Sequence, residues 1–259
     1  MIDGMSTPHI DLIGVPGIPL IETGDDLAGI ICRAIEGSGL SIQDGDVVVV
    51  TSKIVSKAEG RWVDLAAVEP DEEAHRVAAQ CEKDPREVAV ILSEAARVSR
   101  MRKGVLIVEH RLGFVCANAG IDHSNTRRSG EWRLLLPADP DRSAQHLREQ
   151  IGSHFGVTVG VIISDSHGRP FRLGTVGTAI GSAGLPALWD MRGRPDLFGH
   201  ALQVTEVGFA DELAAAAGLV MGQSAEGIPV VIIRGLRYPV DEVSGARHLN
   251  RPRELDLYR

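Results

Sequence analysis

The sequence lacks the cysteine spacings of a disulfide framework or a zinc site. It has 259 residues and only three cysteines, Cys32, Cys81 and Cys116, which lie far apart and form no C-x-x-C pair. Such sparse cysteines fit a reducing compartment, so we expect a cytoplasmic location. Aromatic residues make up only 4% of the chain, and the core must therefore be built from valine, isoleucine, leucine and alanine.

Long apolar runs and a positive charge balance are also missing. No stretch approaches the roughly 18 apolar residues that a membrane helix needs, and the N-terminal residues lack the pattern of a signal peptide. The formal net charge is −8 at pH 7, which argues against a general surface for nucleic acid or anionic lipid. We expect neither nucleic acid nor a membrane as a partner, although a local arginine and lysine cluster remains compatible with an anionic small molecule.

The familiar nucleotide and metalloprotease signatures are absent. The sequence contains no GxxxxGK[ST], no GxGxxG and no HExxH, and the spacing of Gly174, Gly177, Gly181 and Gly184 fits neither nucleotide signature. A nucleotide site in this chain must therefore have another design, and we expect neither a P-loop nor a Rossmann fold.

Short β-branched runs and amphipathic stretches follow one another without a regular βαβ rhythm. Apolar runs predict strands at 47–50, 158–168 and 229–235, two more strands within 104–120, and an extended segment at 174–189. Apolar periodicity predicts helices at 27–35 (with Thr23 or Asp25 as the N-cap), 71–82, 86–99, 139 to about 155, and 211–221. The mixture predicts an α+β (mixed α/β) fold.

Two polar segments follow apolar strands and carry acidic residues. The first contains Asp122 and Asn125, whose oxygens suit Mg²⁺ or Mn²⁺, although aspartate, serine and asparagine are equally typical of a turn. The second is SDSHGRPFR (164–172), where Asp165 and the Ser166 hydroxyl are candidate metal ligands. Its two arginines, Arg169 and Arg172, suit phosphate or carboxylate, and a solvated loop is the alternative.

Two further segments carry groups suited to a nucleotide. TSKIVSK (51–57) follows the first buried strand, and its hydroxyls and lysines are candidates for phosphate contacts or ordinary surface residues. MGQSAEGIP (221–229) places Gln223 and Glu226 between glycines, which allow close approach of the backbone to a ligand. A helix end at Gly222 explains part of this second pattern.

Taken together, these segments resemble the coenzyme F420-0:L-glutamate ligase family. The matching blocks are GIPLI (17–21), DGDVVVVTSKIVSKAEGR (44–61), AGIDHSN (119–125), SDSHGRPFRLGTVGTAIG (164–181) and GQSAEGIPVVIIRG (222–235). Five blocks in the family's order are more specific than any one of them. The resemblance implies one unit over 1–259 with two interleaved subdomains, whose boundary falls near 125–160. Some relatives carry a C-terminal nitroreductase-like domain, which we do not expect here.

The resemblance also implies an activity. This is a GTP- and metal-dependent ligase that adds L-glutamate to the phospholactyl carboxylate of coenzyme F420-0 through an acyl phosphate, with γ-linked extension as a further step. It implies Mg²⁺ or Mn²⁺, two ions in number, K⁺ as an additional candidate, and a homodimer. The implied metal ligands are Asp122, Asp165, Ser166 and Gln223, and the implied GTP site comprises Ile18, Pro19, Leu20, Ile21, Ser52, Lys57, Asn125, Gln223 and Glu226.

The physical reading of the residues agrees with that chemistry. Phosphoryl transfer activates a carboxylate, which is otherwise a poor electrophile, and Lys57, Arg169 and Arg172 are catalytic candidates because they can stabilise negative charge. A metal-dependent nucleotide phosphohydrolase would need the same carboxylates and arginines, and a nucleotide-binding regulatory module is a third hypothesis. The phosphohydrolase stays open on the residues alone, whereas the acidic pair argues against the regulatory module, since binding alone seldom needs carboxylates beside phosphates unless metal intervenes.

Overall fold

The computed structural model describes residues 8–122 and 131–257. The strands are β1 (Asp11–Gly14), β2 (Val47–Thr51), β3 (Trp62–Asp64), β4 (Ala95–Arg102), β5 (Val105–His110), β6 (Val115–Ala117), β7 (Trp132–Leu134), β8 (Gly160–Arg169), β9 (Arg172–Ala183), β10 (Trp189–Asp190), β11 (Glu206–Val207) and β12 (Val230–Arg234). The α-helices are α1 (Leu27–Gly37), α2 (Ser52–Ala58), α3 (Glu72–Cys81), α4 (Pro85–Glu94), α5 (Pro140–Phe155) and α6 (Phe209–Met221). Short 3₁₀ helices lie at Leu65–Ala67, Asn118–Gly120, Ala246–Leu249 and Arg253–Leu255. The predicted α+β class is confirmed.

The largest sheet has the strand order β1-β12-β2-β8-β9 and is covered on both faces. Its central pair, β2 and β8, is parallel, and the other neighbours are antiparallel. Successive side chains of a strand point to opposite faces. Val48 and Val50 accordingly pack in the core beneath α1 and α5, whereas Val47 and Val49 pack beneath α6. Burial on both faces explains why this strand is apolar without alternation.

The chain between α2 and α5 builds a second region. Strands β4, β5 and β6 form one antiparallel sheet, and β3 pairs with β7. Helices α3 and α4 pack on the three-stranded sheet through a separate core that includes Val77, Ile91, Leu106 and Val108. The second region therefore has an apolar core of its own, separate from the cores on the two faces of the main sheet. The predicted subdomain boundary near 125–160 stays a prediction.

Three local predictions are wrong. Helix α1 is capped by Asp26, whose carboxylate accepts the Gly29 N–H at 3.1 Å, and not by Thr23 or Asp25. The helix predicted over 86–99 ends at Glu94, and the chain continues as β4. The polar run 164–169 does not follow its strand but belongs to it, because β8 keeps pairing with β9 as far as Arg169.

The other predicted elements agree with the structure to within a few residues, whereas β1, α2, β3, β7, β10 and β11 were not predicted. No helix in the described ranges is long and apolar enough to cross a bilayer. The three cysteines are buried and unbridged.

Candidate active site

A cleft of about 870 Å³ opens beside the C-terminal end of β2. This edge is where open α/β sheets place ligands, because the strand ends leave a crevice there. Segments far apart in sequence meet in its wall. The predicted residues that line it are Ile18, Pro19, Leu20, Ile21, Ser52, Lys57, Asp122, Asp165, Ser166, Gln223 and Glu226.

The first turn of α2 connects the two acidic residues. The Ser52 hydroxyl donates to Oδ1 of Asp165 at 2.9 Å, and Nζ of Lys53 lies 2.5 Å from Oδ2 of Asp122. Because Ser52 and Lys53 are adjacent, the two carboxylates flank one helix end. From the sequence, Lys53 could equally have been an ordinary surface lysine, and its carboxylate partner is seen only in the folded chain.

The backbone of Asp122 is held by the second region. Asp122 and Leu134 exchange two hydrogen bonds, with N···O distances of 2.9 and 2.8 Å. The carboxylate is thereby presented at the border between the two regions, while Asp165 belongs to the main sheet. Asn125, the other predicted residue of this segment, lies outside the described residues.

A buried histidine that the sequence analysis did not assign lies against Asp165. Nε2 of His167 is 3.1 Å from Oδ2 of Asp165, but the ring N–H is not directed at that oxygen, so the contact is electrostatic and not a hydrogen bond. The imidazole packs on Phe114, with 5.0 Å between ring centroids, and Phe114 stacks on His110 at 5.2 Å. Aromatic packing therefore holds the imidazole of His167 in place beside the Asp165 carboxylate.

The loop after α6 closes the opposite wall. The Ser166 hydroxyl donates to Oε1 of Gln223 at 2.8 Å. Hydrogen bonds from the backbone N–H groups of Ser224 and Glu226 lower the pKa of the Glu226 carboxyl, so this group is anionic in the exposed loop. Gly222 is required here: its φ is +69°, and a Cβ atom would come within 2.1 Å of the Glu226 side chain.

Lys57 and Cys116, two buried residues of the cleft wall, differ in the charge that they bring to the cleft. Lys57 is buried on α2, one turn beyond Lys53, and presents an ammonium group to the cleft. Burial, together with the nearby charge of Asp165, raises the pKa of the Cys116 thiol to about 12. The thiol is therefore protonated at neutral pH and is not a nucleophile.

The two arginines predicted as catalytic are not in the wall of this cleft. Arg169 lines a second cleft on the other side of the β8–β9 hairpin, and Arg172 is exposed at the start of β9. Neither is among the residues that line the first cleft in the described part of the chain. Their catalytic role stays a prediction.

The oxygen atoms in the first cleft fit a hard divalent cation bound together with phosphate. Asp122 and Asp165 supply carboxylates, Ser166 a hydroxyl and Gln223 an amide oxygen. Within the described ranges no three His, Cys, Asp or Glu side chains converge into a closed metal cage. A cation here would complete its shell with phosphate oxygens and water, which is the usual arrangement for Mg²⁺ at nucleotide sites.

Comparison with known proteins gives a consistent match. The sequence model of the family described as F420-0:Gamma-glutamyl ligase matches residues 17–235. The chain is 47% identical to the Coenzyme F420:L-glutamate ligase of Methanothermobacter thermautotrophicus over 253 residues, which are 96% of this chain and 99% of the relative. It is 44% identical to the protein of the same name from Methanocaldococcus jannaschii over 252 residues, 96% of this chain and 97% of the relative.

Proposed function

Because this chain belongs to the F420-0:gamma-glutamyl ligase family, we propose that it joins L-glutamate to the phospholactyl carboxylate of coenzyme F420-0. GTP is the proposed phosphoryl donor, and extension of a γ-linked glutamate tail is a proposed further step. The observation that carries the proposal is the meeting of Asp122, Asp165 and the Gln223 loop in one cleft with a buried lysine. We propose the cytoplasm as its location.

The proposed reaction has two steps, formation of an acyl phosphate and formation of the amide bond. A carboxylate oxygen of the coenzyme attacks the γ-phosphorus of GTP, GDP leaves with the electron pair of the broken P–O bond, and an acyl phosphate forms. The glutamate amine then attacks the acyl carbon, the C–N bond forms, the C–O bond to phosphate breaks, and the amine proton passes to solvent. Activation is required because an unmodified carboxylate is a poor electrophile.

The residues of the first cleft support the phosphoryl step. Asp165 is held by the Ser52 hydroxyl, so its carboxylate is ordered before a ligand binds. Lys57 offsets the charge of the phosphates from within a buried position, where an ammonium interacts strongly with an anion. Arg169 and Arg172 are proposed to stabilise charge from the hairpin side, and Asn125 is proposed to bind GTP.

Divalent metal completes the proposal. Asp122, Asp165, Ser166 and Gln223 are the proposed ligands of Mg²⁺ or Mn²⁺, two ions in number, with K⁺ as an additional cation. The bound ions would neutralise phosphate charge and orient the γ-phosphoryl group. In the structure, the ammonium group of Lys53 pairs with Asp122 and places a positive charge beside this proposed ligand.

A homodimer is proposed as the assembled form. Leu173 on the β8–β9 hairpin is 99% exposed, and Leu197 and Phe198 in the β10–β11 connection are 99% and 85% exposed. Large apolar side chains exposed in this way are typical of protein–protein contact surfaces.

The test measures product and nucleotide together. Full-length protein is incubated with coenzyme F420-0, L-glutamate, GTP and Mg²⁺, and mass spectrometry should detect one added glutamyl unit for each GTP converted to GDP. Asp165→Asn keeps an oxygen that accepts the Ser52 hydrogen bond, so it should fold while losing at least about 100-fold in turnover through loss of the carboxylate charge.

The contrary results are distinct. GTP hydrolysis at an equal rate without coenzyme and glutamate would identify a phosphohydrolase. Near-normal turnover of Asp165→Asn would remove that residue from the metal site. Glu254→Gln changes an exposed residue that lines neither cleft, so it is the control and should leave turnover unaltered.

A further inference from the structure

A second cleft, of about 900 Å³, lies behind the first. His167, Gly168 and Gly177 line both clefts, so the clefts adjoin at β8 and β9. A ligand in the second cleft would therefore lie close to His167, whose ring contacts Asp165. The proposed function uses the first cleft for nucleotide and metal, and apart from the charge of Arg169 it gives the second cleft no role.

Two guanidinium groups face this second cleft. Arg169 comes from β8 and Arg247 from the 3₁₀ helix near the C-terminus. In the ranges that the structure describes, neither side chain has a hydrogen bond or an ion pair, and both residues are exposed. Uncommitted guanidinium groups at one cavity are suited to carboxylate ligands.

Four acidic residues line the same cleft, and three of them accept backbone N–H groups. Asp139 accepts the Arg142 N–H at the start of α5, at 3.1 Å. Oδ1 of Asp141 accepts the N–H groups of Ser182 and Ala246. These carboxylates hold the walls together. The other two, Asp211 and Glu212, lie in the first turn of α6.

Asp211 is the acidic residue nearest to the shared wall. Its Oδ1 accepts the Ala179 N–H of β9 at 2.9 Å, whereas its Oδ2 has no hydrogen bond to any described residue. Burial raises the pKa of this carboxyl, while the Ala179 hydrogen bond and the charge of His167 oppose the rise. A half-buried carboxylate whose second oxygen is open to a ligand is stabilised when a cation binds it.

We infer that the second cleft binds the amino-acid substrate as a zwitterion, with Asp211 contacting the α-ammonium group and Arg169 and Arg247 contacting the two carboxylates. The inference rests on the proposed function, because it assigns the glutamate of that reaction to a place. The reaction requires the amine to reach an acyl carbon held in the first cleft, and the two clefts adjoin at His167, Gly168 and Gly177.

The test separates amine binding from carboxylate activation. Hydroxylamine attacks an acyl phosphate directly, forms a hydroxamate and releases phosphate, and it needs no ammonium-binding carboxylate. Asp211→Asn retains an oxygen for the Ala179 N–H, so the wall should persist. In full-length enzyme with coenzyme F420-0, GTP and Mg²⁺, this variant should raise the KM for L-glutamate by about tenfold or more, the effect of losing a charge-assisted contact. Hydroxamate formation and the KM for GTP should stay within about twofold of wild type.

A second variant tests the carboxylate contacts. Arg247→Gln should also raise the KM for L-glutamate, and it should reduce the preference for glutamate over an analogue that lacks one carboxylate. Glu254→Gln is the control and should behave as wild type.

The outcomes distinguish the two proposals. An unchanged KM for glutamate in both variants, or loss of hydroxamate together with glutamyl transfer in Asp211→Asn, would overturn the assignment of the second cleft. If wild-type enzyme yields no glutamylated product at all, the proposed function itself fails.

Discussion

Glu94 is the centre of a buried charge cluster outside both clefts. Its Oε2 accepts hydrogen bonds from Nη2 of Arg61 and Nε of Arg111, each at 3.0 Å, and lies 3.6 Å from Nε2 of His110. Burial opposes ionisation of Glu94, but its contacts with His110, Arg111 and Arg61 outweigh burial and lower its pKa to about 2. At 3.6 Å the His110 contact is too long for a hydrogen bond, so we assign the lowering mainly to the arginines.

This cluster makes stability depend on pH in the acid range. An unfolded chain protonates Glu94 near its model value of 4.5, whereas the folded protein does so only at about 2. The unfolded state therefore takes up the proton first as the pH falls. The stabilisation by Glu94 is complete above about pH 4.5 and disappears as the pH approaches 2.

We predict that Glu94→Gln flattens this dependence. The variant should be less stable than wild type at pH 7 by about 3 kcal/mol, because the buried charge that pairs with Arg61 and Arg111 is lost. The difference should shrink on acidification, as measured by urea unfolding from pH 7 to pH 3. A constant difference across that range would contradict the assignment, and Glu254→Gln should match wild type throughout.

Residue types alone predicted much of the first cleft but not its contacts. Asp122, Asp165, Ser166 and Gln223 carry oxygens that suit metal and phosphate, and each lies in a segment with several such groups. Asp211 gave no comparable signal, since an acidic residue in the first turn of an alanine-rich helix is expected on helix-dipole grounds alone. Its proximity to β9 depends on packing that no local pattern encodes.

At the scale of elements, the glycines of β9 have a packing role. A Cβ atom at Gly177 would come within 2.3 Å of the Ala214 carbonyl oxygen on α6, and one at Gly181 within 2.3 Å of the Pro140 carbonyl oxygen on α5. The absence of side chains at Gly177 and Gly181 therefore allows α6 and α5 to approach β9 closely. This packing role accounts for two of the glycines whose spacing fits no nucleotide signature. Backbone atoms cannot withdraw as a flexible side chain can.

We predict that Gly177→Ala and Gly181→Ala each destabilise the protein by about 1–3 kcal/mol through overpacking. Gly168→Ala is the matched control: it lies in the neighbouring strand, and a Cβ atom there meets nothing within 4 Å. Chemical denaturation of the three variants gives the comparison. Equal stability of all three would show that the helices can shift at little cost.

Elements whose apolar residues recur at a regular spacing were predictable from the sequence, and elements in which that spacing is interrupted were not. Strand β4 contains register shifts between Ala95 and Arg97 and between Val98 and Arg100. These irregularities break the two-residue alternation of a strand and leave Ala95 and Val98 at a spacing that also fits a helix. Helix α2 has only seven residues, too few to display a periodic face, and was missed for that reason.

At the scale of the whole molecule, the exposed hairpin is the feature that bears on assembly. We predict that Leu173→Asp weakens the proposed homodimer, because a charge in an apolar contact is costly to desolvate. Light scattering should then give a smaller average mass for the variant at micromolar concentration. Glu254→Gln, which changes an exposed residue that is already polar, should leave the mass unaltered. A monomeric wild type would refute the dimer itself.

The class of fold followed from the order of helices and strands, but the way in which the main sheet is assembled around the second region did not. Strands β2 and β8 are neighbours although the whole second region lies between them in sequence. Local periodicity reports which face of an element is buried, and it carries no information on which distant element covers that face.

That separation has a consequence for how the molecule is assembled from an unfolded chain. The hydrogen bond from Ser52 to Asp165 joins residues 113 positions apart, and Lys53 reaches Asp122 in the region between them. Closing a loop of this length costs chain entropy before any contact offsets it. The helices and the apolar core of the second region can form from closer partners, whereas the main sheet and the acidic pair come together only when residues more than 100 positions apart meet. Recovery of turnover after dilution from denaturant is therefore expected to trail recovery of helical signal.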